Sequence, residues 1–196
     1  MKCAVAVQTA VQATFTMIEQ NIFTTRLELR RLQPNDAEEV FYTYGSKPEV
    51  GRYLTWPTHR GLTDTRNFLE HVGQSWGLGV EFTFGIRIRS HNRLIGSLGI
   101  QNDDGRIEVG YVISPAFWGQ GFATEACTAM VNYLRDLPWI YRIQSFVDAE
   151  NIASARVLLK SGFIEEARLP LWRRFVNQGN IPRDCIQFRV PLEGRR

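Results

Sequence analysis

Cysteine is scarce in this sequence, and the few cysteines present are poorly placed for metal binding. Among 196 residues there are three, Cys3, Cys127 and Cys185, which lie far apart and cannot all pair with one another. The three histidines also lack the short spacings typical of metal ligands. This pattern is typical of a reducing compartment rather than of a disulfide-stabilised secreted domain. We therefore predict a cytoplasmic protein without a metal site.

Long apolar runs and blocks of like charge are missing as well. No stretch approaches the ~20 apolar residues that a membrane-spanning helix requires. The net charge is only +3, without the dense Lys/Arg patch of nucleic-acid-binding proteins. We expect neither a membrane nor, directly, a nucleic acid as partner. Positive charge does accumulate late in the chain, where a basic rim would suit an anionic cofactor. The arginines concerned are Arg168, Arg173, Arg174, Arg183, Arg189, Arg195 and Arg196.

Length and composition fit one domain with a substantial core. Hydrophobic residues make up 44% of the chain and charged residues 22%. An apolar run begins after Lys2, but Gln8, Thr9 and Gln12 interrupt it too early for a signal peptide. We predict an N-terminal extension without function over residues 1–20 and a single domain over residues 21–196. The pattern is compatible with a monomer or a homodimer.

Hydrophobic periodicity predicts alternating strands and helices. Strands are expected at 25–32, 82–88, 94–100, 107–113, 141–147, 163–175 and 185–190, and helices at 34–44, 63–76, 122–135 and 152–160. Thr63 is expected to cap the second helix. This order of elements predicts an α+β fold with a mixed, mostly antiparallel sheet and flanking helices.

One stretch combines a strand, a glycine-rich turn and a helix. The strand stops at Ser114-Pro115, and Gly119 and Gly121 precede an amphipathic helix. The apolar face of that helix carries Phe122, Ala123, Ala126, Cys127, Met130, Val131 and Leu134. Glycines let the backbone approach a ligand, and the first N–H groups of a helix lack partners and favour negative charge. The stretch predicts a phosphate or pyrophosphate site; the other interpretation is a tight connection without a ligand.

Two common nucleotide-binding motifs are excluded in this stretch. It lacks the Gly-Lys-Ser/Thr of a P-loop. Thr124 stands where a dinucleotide fingerprint has its third glycine. If the stretch binds phosphate, it must do so in another way.

Several motifs, taken together and in this order, resemble the GNAT superfamily of N-acetyltransferases. The resemblance is strongest to its RimJ/RimL-type branch, which acetylates N-terminal amines of ribosomal proteins. It extends over residues 24–191, nearly the whole chain. The motifs that carry it are Glu108-Val109-Gly110-Tyr111, Trp118-Gly119-Gln120-Gly121-Phe122-Ala123-Thr124-Glu125-Ala126, Asp148-Ala149-Glu150-Asn151 with Ser154, and Gly162-Phe163.

The resemblance implies acetyl-CoA as co-substrate and a splayed pair of strands in the sheet. Its pyrophosphate would be held by backbone N–H groups of the turn, contributed by Gly119, Gln120, Gly121, Phe122, Ala123 and Thr124. Its pantetheine arm would pair with the strand edge at Val112, Ile113 and Ser114, and Asn151 would contact it beyond the splay. One position departs from the family: Trp118 replaces a glutamine or arginine, and is expected to pack rather than to contact phosphate.

A second departure concerns the proton for the leaving thiolate. Many relatives carry a tyrosine acid where this chain has Leu158. Ser154, one helical turn after Asn151, is a candidate to replace it; a serine bonded to its own backbone is the other interpretation. On the strand before the turn, Glu108 is the best candidate for the base that deprotonates the amine, unless it is an outward, solvated glutamate.

Fewer sequence features identify the residues that would bind the acceptor amine. The resemblance makes His59 a candidate, and Trp56 and Trp172 are candidates for the walls of an acceptor pocket. We predict acetyl transfer to a primary amine, foremost a protein N-terminal α-amine. The alternatives are a small amine such as an antibiotic or polyamine, which would require an acidic pocket, and a CoA-binding sensor without catalysis. Acidic residues available for such a pocket are Asp36, Glu38, Glu39 and Glu70.

Overall fold

An eight-stranded sheet runs through the part of the chain that the computed structural model describes, residues 18–192. Its strands are β1 (Asn21–Phe23), β2 (Leu27–Arg31), β3 (Glu81–Ile88), β4 (Arg93–Asp103), β5 (Arg106–Ile113), β6 (Arg142–Asp148), β7 (Ile164–Arg174) and β8 (Pro182–Arg189). Their spatial order is β1-β2-β3-β4-β5-β6-β8-β7. Every pair is antiparallel except β5 with β6. The predicted fold class is confirmed.

Five α-helices flank this sheet within the described residues. They are α1 (Ala37–Val40), α2 (Pro48–Gly51), α3 (Leu62–Leu78), α4 (Phe122–Arg135) and α5 (Ile152–Lys160). The prediction that Thr63 caps α3 is wrong, because the helix already begins at Leu62. The Asp64 carboxylate instead accepts the N–H groups of Arg60 and Gly61, at 2.7 and 3.3 Å. A charged acceptor makes the stronger bond to an unpaired N–H group.

The main core lies between the sheet and α4. The predicted apolar face is buried in it: Phe122, Ala126, Cys127, Met130, Val131 and Leu134 are each 8% exposed or less. A second apolar cluster joins α1, α3 and Val112 of β5. Neighbours of Val112 on the same strand, Val109 and Ile113, belong to the main core. The strand therefore contributes to both clusters, as alternating side chains require.

Strands β5 and β6 separate soon after they meet. Three residues of β5, 106–108, pair with three of β6, 142–144. Beyond them β5 stays paired with β4 and β6 with β8, so the two strands diverge. This is the splay that the family resemblance implies, and it leaves one edge of β5 open.

The predicted N-terminal extension falls mostly outside the described residues. Of residues 1–20, only 18–20 are described. Ile18 is buried in the main core, and the Glu19 N–H donates to the Tyr133 hydroxyl at 2.8 Å. Among the helices of residues 18–192, none is both long and apolar enough to cross a membrane.

Candidate functional site

The turn between β5 and α4 exposes backbone N–H groups. Gly119 and Gly121 have φ of +74° and +79°, values that favour glycine over any residue with a Cβ. The first bond of α4 runs from the Glu125 N–H to the Gly121 carbonyl, at 3.0 Å. The N–H groups at 122–124 therefore have no helical acceptor, and the Gly121 N-cap provides no side chain for them. This geometry fits the pyrophosphate site predicted for Gly119 to Thr124.

The open edge of β5 presents few backbone groups. The Ser114 N–H donates to the Ile95 carbonyl of β4 at 2.8 Å. Because backbone groups alternate along a strand, Val112 also faces β4, whereas Ile113 faces the open edge. The Ile113 carbonyl accepts the Trp118 indole N–H at 2.6 Å. Of the three residues predicted to pair with pantetheine, Ile113 is thus the one whose N–H points into the splay.

The first turn of α5 lies across the splay from β5. Asn151 is its N-cap, and its Oδ1 accepts the Ser154 N–H at 3.1 Å. The Tyr111 hydroxyl donates to the Ser154 carbonyl at 3.1 Å, which ties β5 to α5. Burial raises the pKa of Tyr111, so this phenol stays protonated. Leu158 is fully buried, so its position can contribute only packing.

Glu108 lies at the apex of the splay. It pairs with Gln144 in the last register position that β5 and β6 share, and the Gln144 side-chain amide donates to its Oε2 at 3.4 Å. Alternation places its side chain on the face of Val112, toward the cluster of α1 and α3. The carboxylate is half-buried. Glu108 does not line the cavity described below.

Two of the predicted acceptor residues pack together. The rings of Trp56, His59 and Phe68 lie 5.3–6.3 Å apart. His59 Nδ1 is 2.8 Å from the Thr65 hydroxyl oxygen, and burial lowers the pKa of His59. The structure does not bring Trp172 to them: it lies on β7 and is 55% exposed.

A cavity of about 620 Å³ opens beside the glycine turn, and of its lining residues only Trp118 was assigned a role from the sequence. Its lining comprises Pro48, Glu49, Arg52, Tyr53, Trp118, Asn177 and Gln178. Asn177 holds the walls together, because its Nδ2 donates to the carbonyls of Gly51 and Trp56, both at 2.8 Å. Neither His59 nor Trp172 lines this cavity. No contiguous motif could have revealed it, since its walls come from three distant segments.

Two of the four acidic residues considered for an acceptor pocket are paired with an arginine, and none of the four lines the cavity. Arg87 is 4% exposed, and its Nη2 pairs with Asp36 at 2.8 Å and with Glu39 at 2.6 Å. Neither carboxylate lines the cavity, and nor does Glu38 or Glu70. Within residues 18–192, no three His, Cys, Asp or Glu side chains are grouped so that they could hold a metal ion.

The comparison with known families agrees with this geometry. The model of the acetyltransferase (GNAT) domain matches residues 26–164, most of the chain. The chain belongs to the GNAT family of acetyltransferases. A curated relative, the uncharacterised N-acetyltransferase YoaA of Bacillus subtilis (strain 168), is 32% identical over 170 residues, which cover 85% of this chain and 94% of YoaA.

Solved structures share the GNAT fold over nearly their full lengths. A GNAT-family acetyltransferase from Bacillus anthracis has a TM-score of 0.76 at 26% identity, covering 88% of this chain and 99% of its own. RimL, a ribosomal L7/L12 α-N-protein acetyltransferase solved with coenzyme A, has a TM-score of 0.79 at 18% identity, covering 88% and 98%. The predicted family, its N-acetyltransferase activity and its acetyl-CoA co-substrate are confirmed.

Proposed function

We propose that this GNAT domain transfers the acetyl group of acetyl-CoA to a protein N-terminal α-amine. The observation that carries the proposal is the cavity beside the open edge of β5. Trp118 belongs to both, since its ring lines the cavity while its indole N–H holds the Ile113 carbonyl. An amine bound in the cavity would lie next to a thioester held along the splay, as transfer between two bound substrates requires.

The chain offers groups that suit each part of acetyl-CoA. The N–H groups at 122–124 and the two glycines of the turn would hold the pyrophosphate. Ile113 would hold the pantetheine arm, and the Asn151 side chain would contact it from α5. When bound, acetyl-CoA supplies an activated acetyl thioester. The Ile113 N–H is the donor best placed to polarise a thioester carbonyl in the splay.

Glu108 and Ser154 would handle the protons of the transfer. An α-amine has a pKa of about 7.7–8.0 and is mostly protonated at neutral pH, so it must lose a proton before attack. Glu108, at the apex of the splay, would accept that proton directly or through one water. Ser154 is half-buried on the first turn of α5, with its backbone N–H and carbonyl both bonded. Its hydroxyl would stabilise the developing thiolate or position a water there.

The charges around the cavity favour a peptide amine over a polyamine. Among the described residues that line it, Glu49 has the one carboxylate, and Arg52, one helical turn later, opposes it. A polyamine would require an acidic pocket, but Asp36 and Glu39 are bound by Arg87. RimL, which shares the fold, is an α-N-protein acetyltransferase of ribosomal L7/L12, and this acceptor class agrees with the proposal.

The test is a thiol-release assay with acetyl-CoA against two sets of acceptors. One set holds short peptides with free N-termini, including those of ribosomal proteins; the other holds polyamines and aminoglycosides. We expect turnover with peptides, and mass spectrometry should place the acetyl group on the α-amine. The same peptides with a blocked N-terminus and a free lysine are the control. Turnover confined to polyamines or aminoglycosides would overturn the acceptor class, and binding of acetyl-CoA without any turnover would favour a sensor.

A further inference from the structure

Two arginines, one just before β2 and one at the start of β4, flank the glycine turn. The Arg26 guanidinium, just before β2, lies 4.3 Å from the centre of the Phe122 ring. The Arg93 guanidinium, at the start of β4, lies 5.0 Å from the centre of the Phe117 ring. The two rings are 6.1 Å apart and bracket the turn at 118–121. Cation–π contacts thus hold two positive charges beside the turn.

Arg26 is also bonded to the turn and to α4. Its Nε donates to Glu125 Oε2 at 2.6 Å, and its Nη1 donates to the Gln120 carbonyl at 3.1 Å. Its Nη2 lies 3.6 Å from the place that a Cβ on Gly121 would take. The side chain is nevertheless 45% exposed. The guanidinium is therefore fixed in position while one edge remains accessible to a ligand.

Glu125 explains why a cation is needed here. It lies in the first turn of α4, so its negative charge is near the helix start at which a phosphate would bind. Partial burial alone would raise its pKa, but hydrogen bonds from Thr24 and Arg26 and the charge of Arg26 hold the pKa of Glu125 below its usual value. The carboxylate is therefore ionised, and Arg26 compensates its charge. Arg93 has no ion-pair partner among residues 18–192. The group formed by Arg26, Glu125 and Arg93 therefore carries a net positive charge beside the turn.

The other positions considered for positive charge beside the turn do not supply it. Trp118 stands where relatives carry glutamine or arginine, and its indole N–H is bonded to Ile113. Among the late arginines that suggested a basic rim, Arg195 and Arg196 lie outside the described residues, and others are paired with carboxylates. Arg183 pairs with Asp148 and Glu150, and Arg168 with Glu165.

We propose that Arg26 and Arg93 supply the cationic contacts to the phosphate groups of CoA that the Trp118 position lacks. The inference rests on the proposed function, since it assumes that the turn holds CoA. Arg93 acts as a free phosphate ligand. Arg26 has two effects: it offers its exposed edge to phosphate and shields the ligand from Glu125. Guanidinium–phosphate contacts at an exposed site are screened by salt, which makes the proposal measurable.

The experiment is calorimetric titration of the full chain with CoA and with 3′-dephospho-CoA, at low and high salt. Arg93→Met and Arg26→Met are the test variants, and Arg168→Met, which removes an equal charge on β7, is the matched control. We expect losses of CoA affinity of about fivefold and tenfold at low salt, which shrink at high salt. The control should stay within about twofold of wild type. Losses confined to CoA would assign the contact to its 3′-phosphate, and losses with both ligands to the pyrophosphate.

A second comparison separates charge from mere structural support at Arg26. In the Arg26→Met background, Glu125→Gln should recover part of the CoA affinity, because it removes an uncompensated carboxylate from the helix start. A folded double variant without recovery would overturn the shielding role of Arg26. Wild-type affinity and salt dependence in Arg93→Met, with both ligands, would overturn the phosphate contact. Failure of the wild-type chain to bind CoA would instead contradict the proposed function itself.

Discussion

The two sides of the splay are built from different kinds of groups. On the donor side, the backbone N–H groups lie close together in the chain, at Ile113 and at residues 122–124. On the acceptor side, the cavity is formed by residues of 48–53 and of the connection between β7 and β8, more than 100 residues apart in the chain, together with Trp118. The directions of the backbone N–H groups are set by the dihedral angles of the chain. The charge of the cavity is set by its side chains, and its shape by the contacts of Asn177. Substitutions in the cavity other than at Trp118 are therefore expected to leave CoA binding intact.

The strongest test of this separation is Glu108→Gln, at the apex where the two sides meet. We expect turnover at neutral pH to fall by about 100-fold, with partial recovery at alkaline pH, because the amide keeps the shape but cannot accept a proton. CoA affinity should stay near normal. Rates across pH and calorimetry measure the two effects, with Glu165→Gln on β7 as control. A wild-type pH profile would show that the proton leaves by another route.

On the donor side, Ser154→Ala tests the thiolate contact. We expect turnover to fall about 10- to 100-fold, the cost of losing one hydrogen bond in the transition state. Acetyl-CoA affinity should change much less, since the backbone groups of Ser154 that bond Asn151 and Tyr111 remain. Steady-state kinetics and calorimetry give both numbers. If turnover on a proven acceptor is unchanged, the serine is structural.

Gly121→Asp should weaken CoA binding without changing the acceptor cavity. The position has φ of +79°, and a carboxylate there would repel phosphate, so we expect CoA affinity to fall at least ~10-fold. Gly179→Asp is the matched control, because that glycine has φ of +72° and an added Cβ would meet nothing within 4 Å. Calorimetry with CoA compares the two folded variants. Equal affinities would contradict the anion site.

Arg52→Met should change the preference between acceptors without changing CoA binding. Without Arg52 the cavity keeps only the charge of Glu49, so we expect the preference for polyamine over peptide to rise about threefold, as for one exposed charge. CoA affinity should not change. The ratio of kcat/KM values for the two acceptors is the readout, and Arg66→Met on α3, outside the cavity, is the control. A shift in CoA affinity would show that the two sides are coupled.

The smallest effect concerns the pH dependence of stability through His59. Burial lowers its pKa below the ordinary 6.5, so the unfolded chain binds more protons than the folded chain below that pH. This contribution to stability is complete above pH 6.5 and is lost as the pH falls below it. Thermal unfolding should show a smaller loss between about pH 7.5 and 5.5 in His59→Gln than in wild type. Losses of equal size would contradict this contribution of His59.

Local signals in the sequence were enough for most of the elements, although β1 and α2 were not predicted and the helix predicted at 34–44 is α-helical only over α1. The helix over 152–160 and the apolar face of α4 follow from periodicity, and both are confirmed. The anion site was predicted from two glycines and a helix start, which are neighbours in the chain. Thr63 was wrongly predicted to cap α3. The Asp64 carboxylate reaches back to the Arg60 N–H because the chain bends before α3, and the sequence pattern does not show that bend.

The acceptor side could not be predicted in the same way. Asn177 and Trp118 meet in one cavity only because the sheet brings the connection between β7 and β8 beside α2. Likewise, Arg26 and Arg93 reach the glycine turn from β2 and β4, and no spacing in the chain records that approach.

By itself, the sequence determined the fold class and the family and predicted a backbone site for an anion, because periodicity, glycines and helix starts act over a few residues. Only the tertiary structure decided which side chains surround that site. It paired Asp36 and Glu39 with Arg87, packed His59 against Trp56, and left Glu49 and Arg52 in the cavity. Charge compensation and desolvation depend on distances between segments remote in the chain, and those distances exist only after the strands have paired.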